Sequence, residues 1–109
     1  MARLDYLELA VKDINVAKEF YSLALGFNFT DFGPEYAATT TNDTDIGFCE
    51  QKEITPPMGV ICVENLEEAY EKVKLAGGDI VVEIFEFPGG KRSEFLDPSG
   101  NRIGIWQKI

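Results

Sequence analysis

An α+β fold made of two tandem βαβββ modules is predicted by three features of the chain. The order strand, helix, three short strands occurs twice, equivalent positions recur at constant spacing, and each helix is bracketed by a capping residue and a closing glycine. The first strand is LDYLELAV, where Leu7, Leu9 and Val11 alternate with Tyr6, Glu8 and Ala10 in the period of two that marks a half-buried strand. Asp13 follows as an N-cap. The run INVAKEFYSLAL carries Val16, Ala17, Phe20, Tyr21 and Ala24 at helical spacing, and Gly26 is placed to end the helix in a left-handed conformation. Three β-like runs come next, FNFTDF, EYAATTT and DIGFCEQ, separated by turns at Gly33-Pro34 and Asn42-Asp43.

The second pass repeats the first. MGVICV reads as a strand, and Asn65 caps a helix with Glu68 three residues on, the pattern of a capping box. Gly77-Gly78 closes that helix, and DIVVEIF, KRSEFL and NRIGIW supply three strands joined by Pro88-Gly89-Gly90 and Asp97-Pro98-Ser99-Gly100. Superposition by counting pairs Val11 with Val63, Asp13 with Asn65, Ala17 with Ala69 and Gly26 with Gly78, each 52 positions apart. The last strands match at 57, Ile46 with Ile103 and Gly47 with Gly104, so five extra residues lie between Gly78 and Ile103. A ferredoxin-like βαββαβ fold also sets two strand-helix units in tandem, but the matching offsets favour an internal duplication. Residues 1–52 form module one and 57–109 module two of a single domain spanning 1–109.

Composition narrows the function. With 109 residues, 45% hydrophobic and 12% aromatic, the chain can bury a core of its own. No apolar run approaches the roughly 20 residues of a membrane span, and MARLDYLELAV lacks the pattern of a signal peptide, so a cytoplasmic protein without membrane contact is expected. Cys49 and Cys62 sit in apolar surroundings and read as buried free thiols rather than a disulfide framework. A net charge of −9 and the want of a Lys/Arg stripe exclude nucleic acid as a partner and favour a cationic or neutral one.

The paired modules, with openings LELAVKDINVAKEFYSLALGF and GVICVENLEEAYEKVKLAGG and the terminal FLDPSGNRIGIW, resemble the glyoxalase, bleomycin-resistance and extradiol-dioxygenase superfamily, the vicinal oxygen chelate proteins. The resemblance covers essentially the whole chain. It implies a curved mixed sheet around a concave cavity for a small ligand, helices on the outside, and a homodimer. It also implies divalent-metal positions on the first and last strand of each module. Here these are Tyr6, Gly47, Met58 and Gly104, where the enzymes typically carry His or Glu. Gly104, an odd choice inside the strand RIGIW, thus stands where a metal-ligating glutamate is usual. Its missing side chain is expected to remove a ligand and leave room.

With no histidine in the chain, a catalytic zinc, nickel or iron centre of about three donors is not expected, nor is a Ser–His or Cys–His nucleophile. No cofactor is expected. Strand alternation puts Glu8 on the face of Tyr6 and Trp106 on that of Gly104; Arg92 and Glu94 lie on the seventh strand, on a side that a hairpin bulge would flip. The expected ligand site is therefore Tyr6, Glu8, Met58, Arg92, Gly104 and Trp106. Such an aromatic, acidic lining suits a small aromatic or cationic molecule that is sequestered rather than transformed. Two other classes stay open: a lyase or isomerase using Glu8 as general base or an oxygen-ligated metal, and a regulatory or interaction module.

Overall fold

The computed structural model describes residues 2–109 and contains eight strands and two helices, an α+β fold with mixed sheets. It divides into two compact units, one of Tyr6–Pro57 and one combining the residues up to Asp5 with Met58–Ile109.

The first unit contains most of strand β1 (Arg3–Val11), helix α1 (Ile14–Leu25), and strands β2 (Thr30–Asp31), β3 (Tyr36–Ala38) and β4 (Asp45–Glu50). β1 runs parallel to β4, which pairs antiparallel with β3, as β3 does with β2. In this register Glu8 lies opposite Gly47 and Ala38 opposite the same glycine, so Tyr6, Glu8, Tyr36, Ala38 and Gly47 share one sheet face. The other face carries the core: Ile14, Ala37 and Phe48 are buried, with Leu9, Val11, Ala17, Tyr21, Phe29 and Ile46 packed on them.

Helix α1 has the expected ends. The Asp13 carboxylate accepts from the Asn15 and Val16 amides at 3.0 and 3.1 Å, and Gly26 has the positive φ of 75° that a left-handed C-terminal residue requires. Its inward face differs from the one predicted. Ile14, Ala17 and Tyr21 turn to the sheet, whereas Val16, Phe20 and Leu23 are 65%, 61% and 80% exposed. The cause lies at the helix start, where Glu50 Oε2 accepts from the Ile14 amide at 3.0 Å and sets residue 14 against β4; positions three and seven residues on then share its face. FNFTDF also shrinks to two strand residues, because the Phe27 and Phe29 rings leave the pleat to join Tyr21 and Phe48, with Phe29 and Phe48 centroids 4.9 Å apart.

The second unit repeats this plan with β5 (Met58–Cys62), α2 (Leu66–Leu75), β6 (Asp79–Phe87), β7 (Gly90–Leu96) and β8 (Arg102–Lys108). β5 is parallel to β8; β8 pairs antiparallel with β7, and β7 with β6. The five residues that upset the repeat lie in the stretch occupied by the β6–β7 hairpin, whose strands have nine and seven residues against two and three in β2 and β3. Asn65 accepts from the Glu68 amide at 3.0 Å, but the Glu68 carboxylate turns to Lys72 at 2.9 Å rather than back to the cap. Gln107 Oε1 accepts from the Leu66 amide at 2.8 Å. Gln107 and Glu50 are equivalent in the repeat, as are Leu66 and Ile14, so the same brace holds both helices.

Loss of either brace strands a helix-terminal amide. Gln107→Ala is expected to cost about 1 kcal/mol of stability, and Glu50→Ala about 1–2 kcal/mol because its acceptor is charged. Urea denaturation should show a lower midpoint and an unchanged m-value for both variants.

Candidate functional site

In the first unit the sheet face opposite the Phe48 core is organised around a glycine. Gly47 is fully surrounded, and a Cβ built there would fall on the Tyr6 hydroxyl and lie 2.6 Å from that of Tyr36. The two phenol groups are hydrogen-bonded to each other, and the Tyr36 hydroxyl donates to Glu8 Oε2 at 3.2 Å. Glu8, on a strand face where it needs either solvent or a partner, thus has a neutral donor among its partners. The turn leading to Gly47 is fastened by Asp45, whose Oδ1 accepts from the Thr39 hydroxyl at 2.7 Å and from the Thr41 amide and hydroxyl at 2.9 and 2.8 Å. Burial raises the Asp45 pKa, but these bonds outweigh it and hold the carboxyl below its ordinary range.

The second unit brings together Arg92, Gly104 and Trp106. Along the unbroken β7–β8 ladder Arg92 lies opposite Trp106 and Glu94 opposite Gly104, so all four share a face. The irregularities of the hairpin fall instead in the pairing with β6, between Ile80 and Phe85. Glu94 joins two guanidinium groups, Arg92 Nη2 and Arg102 Nη2, both at 2.7 Å. The place of a Gly104 side chain is closed in rather than open: a Cβ there would stand 3.3 Å from both Val60 methyls and 3.6 Å from Arg92 Nη2. Trp106 donates from Nε1 to Asp5 Oδ1 at 2.9 Å and lies near Phe87, centroids 6.3 Å apart. Gly90 lets it do so, since a Cβ there would meet the indole at 3.0 Å. Met58 begins β5 and is 8% exposed.

Cys49 and Cys62 are free thiols. Burial, followed by the negative charge of Asp5, pushes the Cys62 thiol above its ordinary range and away from the reactive thiolate.

Two participants escape a reading of the sequence. Asp5 meets Trp106 across 101 positions, a distance that no local pattern spans. Tyr36 was within reach: with Ala37 buried in the core, alternation along β3 puts Tyr36 and Ala38 on the Glu8 face.

The residues at the positions where the resemblance implies metal donors do not fit such a centre. Tyr6 is engaged with Tyr36, Met58 offers a thioether, and the two glycines offer nothing, whereas zinc or nickel wants about three nitrogen, oxygen or thiolate donors. Among the described residues no group of three or more His, Cys, Asp or Glu side chains is placed to hold a metal ion.

Two successive βαβββ units, each with its first strand parallel to its last, make the fold of the vicinal oxygen chelate class. The model of the Glyoxalase/Bleomycin resistance protein/Dioxygenase superfamily matches residues 3–105, and the chain belongs to that superfamily. CFP32 of Mycobacterium tuberculosis, provisionally named a glyoxylase, is 25% identical over 94% of this chain. The chain spans 44% of that relative's length. Among solved structures, methylmalonyl-CoA epimerase from M. tuberculosis is similar with a TM-score of 0.80 at 16% identity, covering 97% of this chain and 87% of that one. A superfamily member from Vibrio splendidus 12B01 has a TM-score of 0.73 at 21% identity, covering 99% and 100%. The Mn(II)-bound glyoxalase from Novosphingobium aromaticivorans has 0.75 at 18%, covering 98% and 40%. At these identities the likeness is one of fold.

Gly47→Ala is expected to lower stability by about 1–3 kcal/mol, the usual cost of overpacking. In a double-mutant cycle with Tyr6→Ala the two costs should fall well short of additive, since removing the ring clears the space; full additivity in chemical denaturation would refute the interlock.

Proposed function

We propose that this protein binds a small aromatic or cationic molecule without a metal, through Tyr6, Glu8, Met58, Arg92, Gly104 and Trp106, and sequesters rather than transforms it. One observation carries the proposal: a tyrosine pair and a carboxylate occupy the first-unit face that superfamily enzymes devote to metal donors, with the Tyr6 hydroxyl filling the space over Gly47. The indole and phenyl rings of Trp106, Phe87 and Phe85 supply the second unit with an aromatic surface, the usual partner of a planar or cationic ligand. The net charge of −9 draws cations toward the protein. The proposal includes a homodimer, as the superfamily resemblance implies, acting in the cytoplasm, where Cys49 and Cys62 stay reduced. Among the described residues no helix is long and apolar enough to cross a membrane.

A second reading, of a lyase or isomerase, is favoured by the fixed placement of Glu8, which could take a proton from a bound substrate. The provisional glyoxylase name of CFP32 and the epimerase fold likeness agree with it. Turnover that vanishes in Glu8→Gln would select it over sequestration.

A cationic aromatic dye titrated into the protein should quench Trp106, the sole tryptophan, with the same affinity before and after EDTA treatment and with weaker binding as salt is raised. Glu8→Gln should weaken binding by about 1–2 kcal/mol, the worth of a charged hydrogen bond. Binding that requires added metal, or that ignores both salt and Glu8, would overturn the proposal.

A further inference from the structure

Helix α1 is apolar on two sides. Ile14, Ala17 and Tyr21 pack on the sheet, while Val16, Phe20 and Leu23 form a row on the side away from it, spaced by four and three residues and all exposed. The repeat shows how such a side looks when it faces water. At the offset of 52 the row falls on Glu68, Lys72 and Leu75 of α2, where Glu68 and Lys72 make an ion pair at 2.9 Å across one helical turn. Only Leu75 stays apolar. In α1 a valine and a phenylalanine replace that pair, and the row exposes roughly a few hundred Å² of contiguous apolar surface, the extent that marks an interaction site.

Charge decides what can lie on it. The chain carries a net charge of −9, yet α1 contains only Lys18 and Glu19, which cancel, and Lys18 turns to Asp31 at 2.7 Å. A cationic partner drawn by the net charge finds no cluster of acids along this row. An anionic lipid surface is repelled by the whole chain and finds no basic residue beside the row to anchor it. A second copy meets a neutral apolar surface matched to its own.

We propose that α1 is the contact between two copies of this chain, paired antiparallel about a two-fold axis beside Phe20, so that Phe20 meets Phe20 and Val16 meets Leu23 across the axis. Rows at this spacing interlock with the same rows of another helix. The Phe20 ring already stands edge-on to Tyr21, centroids 5.1 Å apart, so it loses little freedom on pairing. The inference rests on the homodimer proposed above and names its interface.

Sedimentation equilibrium on the full chain at tens of micromolar should give about 24 kDa, twice the chain's 12.2 kDa. Leu23→Glu should weaken self-association about a hundredfold, because pairing would bury two carboxylates without partners, and should leave the circular dichroism spectrum unchanged. Leu75→Glu, at the equivalent place in α2, should leave the dimer intact. Adding Val16→Lys to Leu23→Glu should restore the dimer at low salt and not at high salt, since each lysine then meets a glutamate across the axis. If Leu23→Glu does not fold, Val16→Lys alone serves, as it too would bury two like charges. Dimers that survive Leu23→Glu, or a double variant that stays monomeric, would overturn the α1 contact and leave the homodimer standing. A wild-type mass of 12.2 kDa at these concentrations would overturn both.

Discussion

The first amide of each helix is held by a side chain from the last strand of its own module, Ile14 by Glu50 and Leu66 by Gln107. A helix start exposes amides that must find acceptors, and drawing the acceptor from β4 or β8 fixes the helix to the strand that also carries the site glycine. Glu50 and Gln107 lie three residues beyond Gly47 and Gly104, so alternation sends the brace to the helix side and the glycine to the other. One short stretch thereby sets the rotation of the helix, the packing of Phe48 or Ile105 beneath it, and the place of the glycine opposite. The acidic residue in one copy and the amide in the other do the same geometric work with different charge.

Much of this was legible in the sequence, and the reason is local. Asp13, Gly26 and Asn65 act through atoms within a few residues of themselves, and helix α1 spans the predicted run. Strand β1 alternates as read, with Leu9 and Val11 toward the core and Glu8 away from it. What the sequence hid depends on partners distant along the chain. The rotation of α1 follows from Glu50 rather than from the helix's own hydrophobic pattern, and Val16 and Phe20, apolar and correctly spaced, ended exposed for that reason. The side of Arg92 depends on the ladder between β7 and β8, which is continuous and sets it beside Trp106.

The site teaches the same lesson more sharply. Reading Gly104 as the absence of a ligand was an inference from likeness, and its surroundings show that absence is not emptiness, since Val60 and Arg92 close the gap. Gly47 gives the complementary case. The space a side chain would take there is filled by a group from another strand, the phenol of Tyr6, which no inspection of position 47 alone would reveal.

That filling ties two distant positions together. The tyrosine at position 6 and the glycine at position 47 depend on each other: an acid introduced at 47 meets the ring, and removing the ring first leaves a void beside Tyr36 and takes a hydrogen-bond partner from its hydroxyl. Either single change is expected to cost about 1–3 kcal/mol, a sizeable part of the stability of a domain this small. The two positions therefore constrain each other, since a larger residue at 47 has room only once the ring at position 6 has moved away.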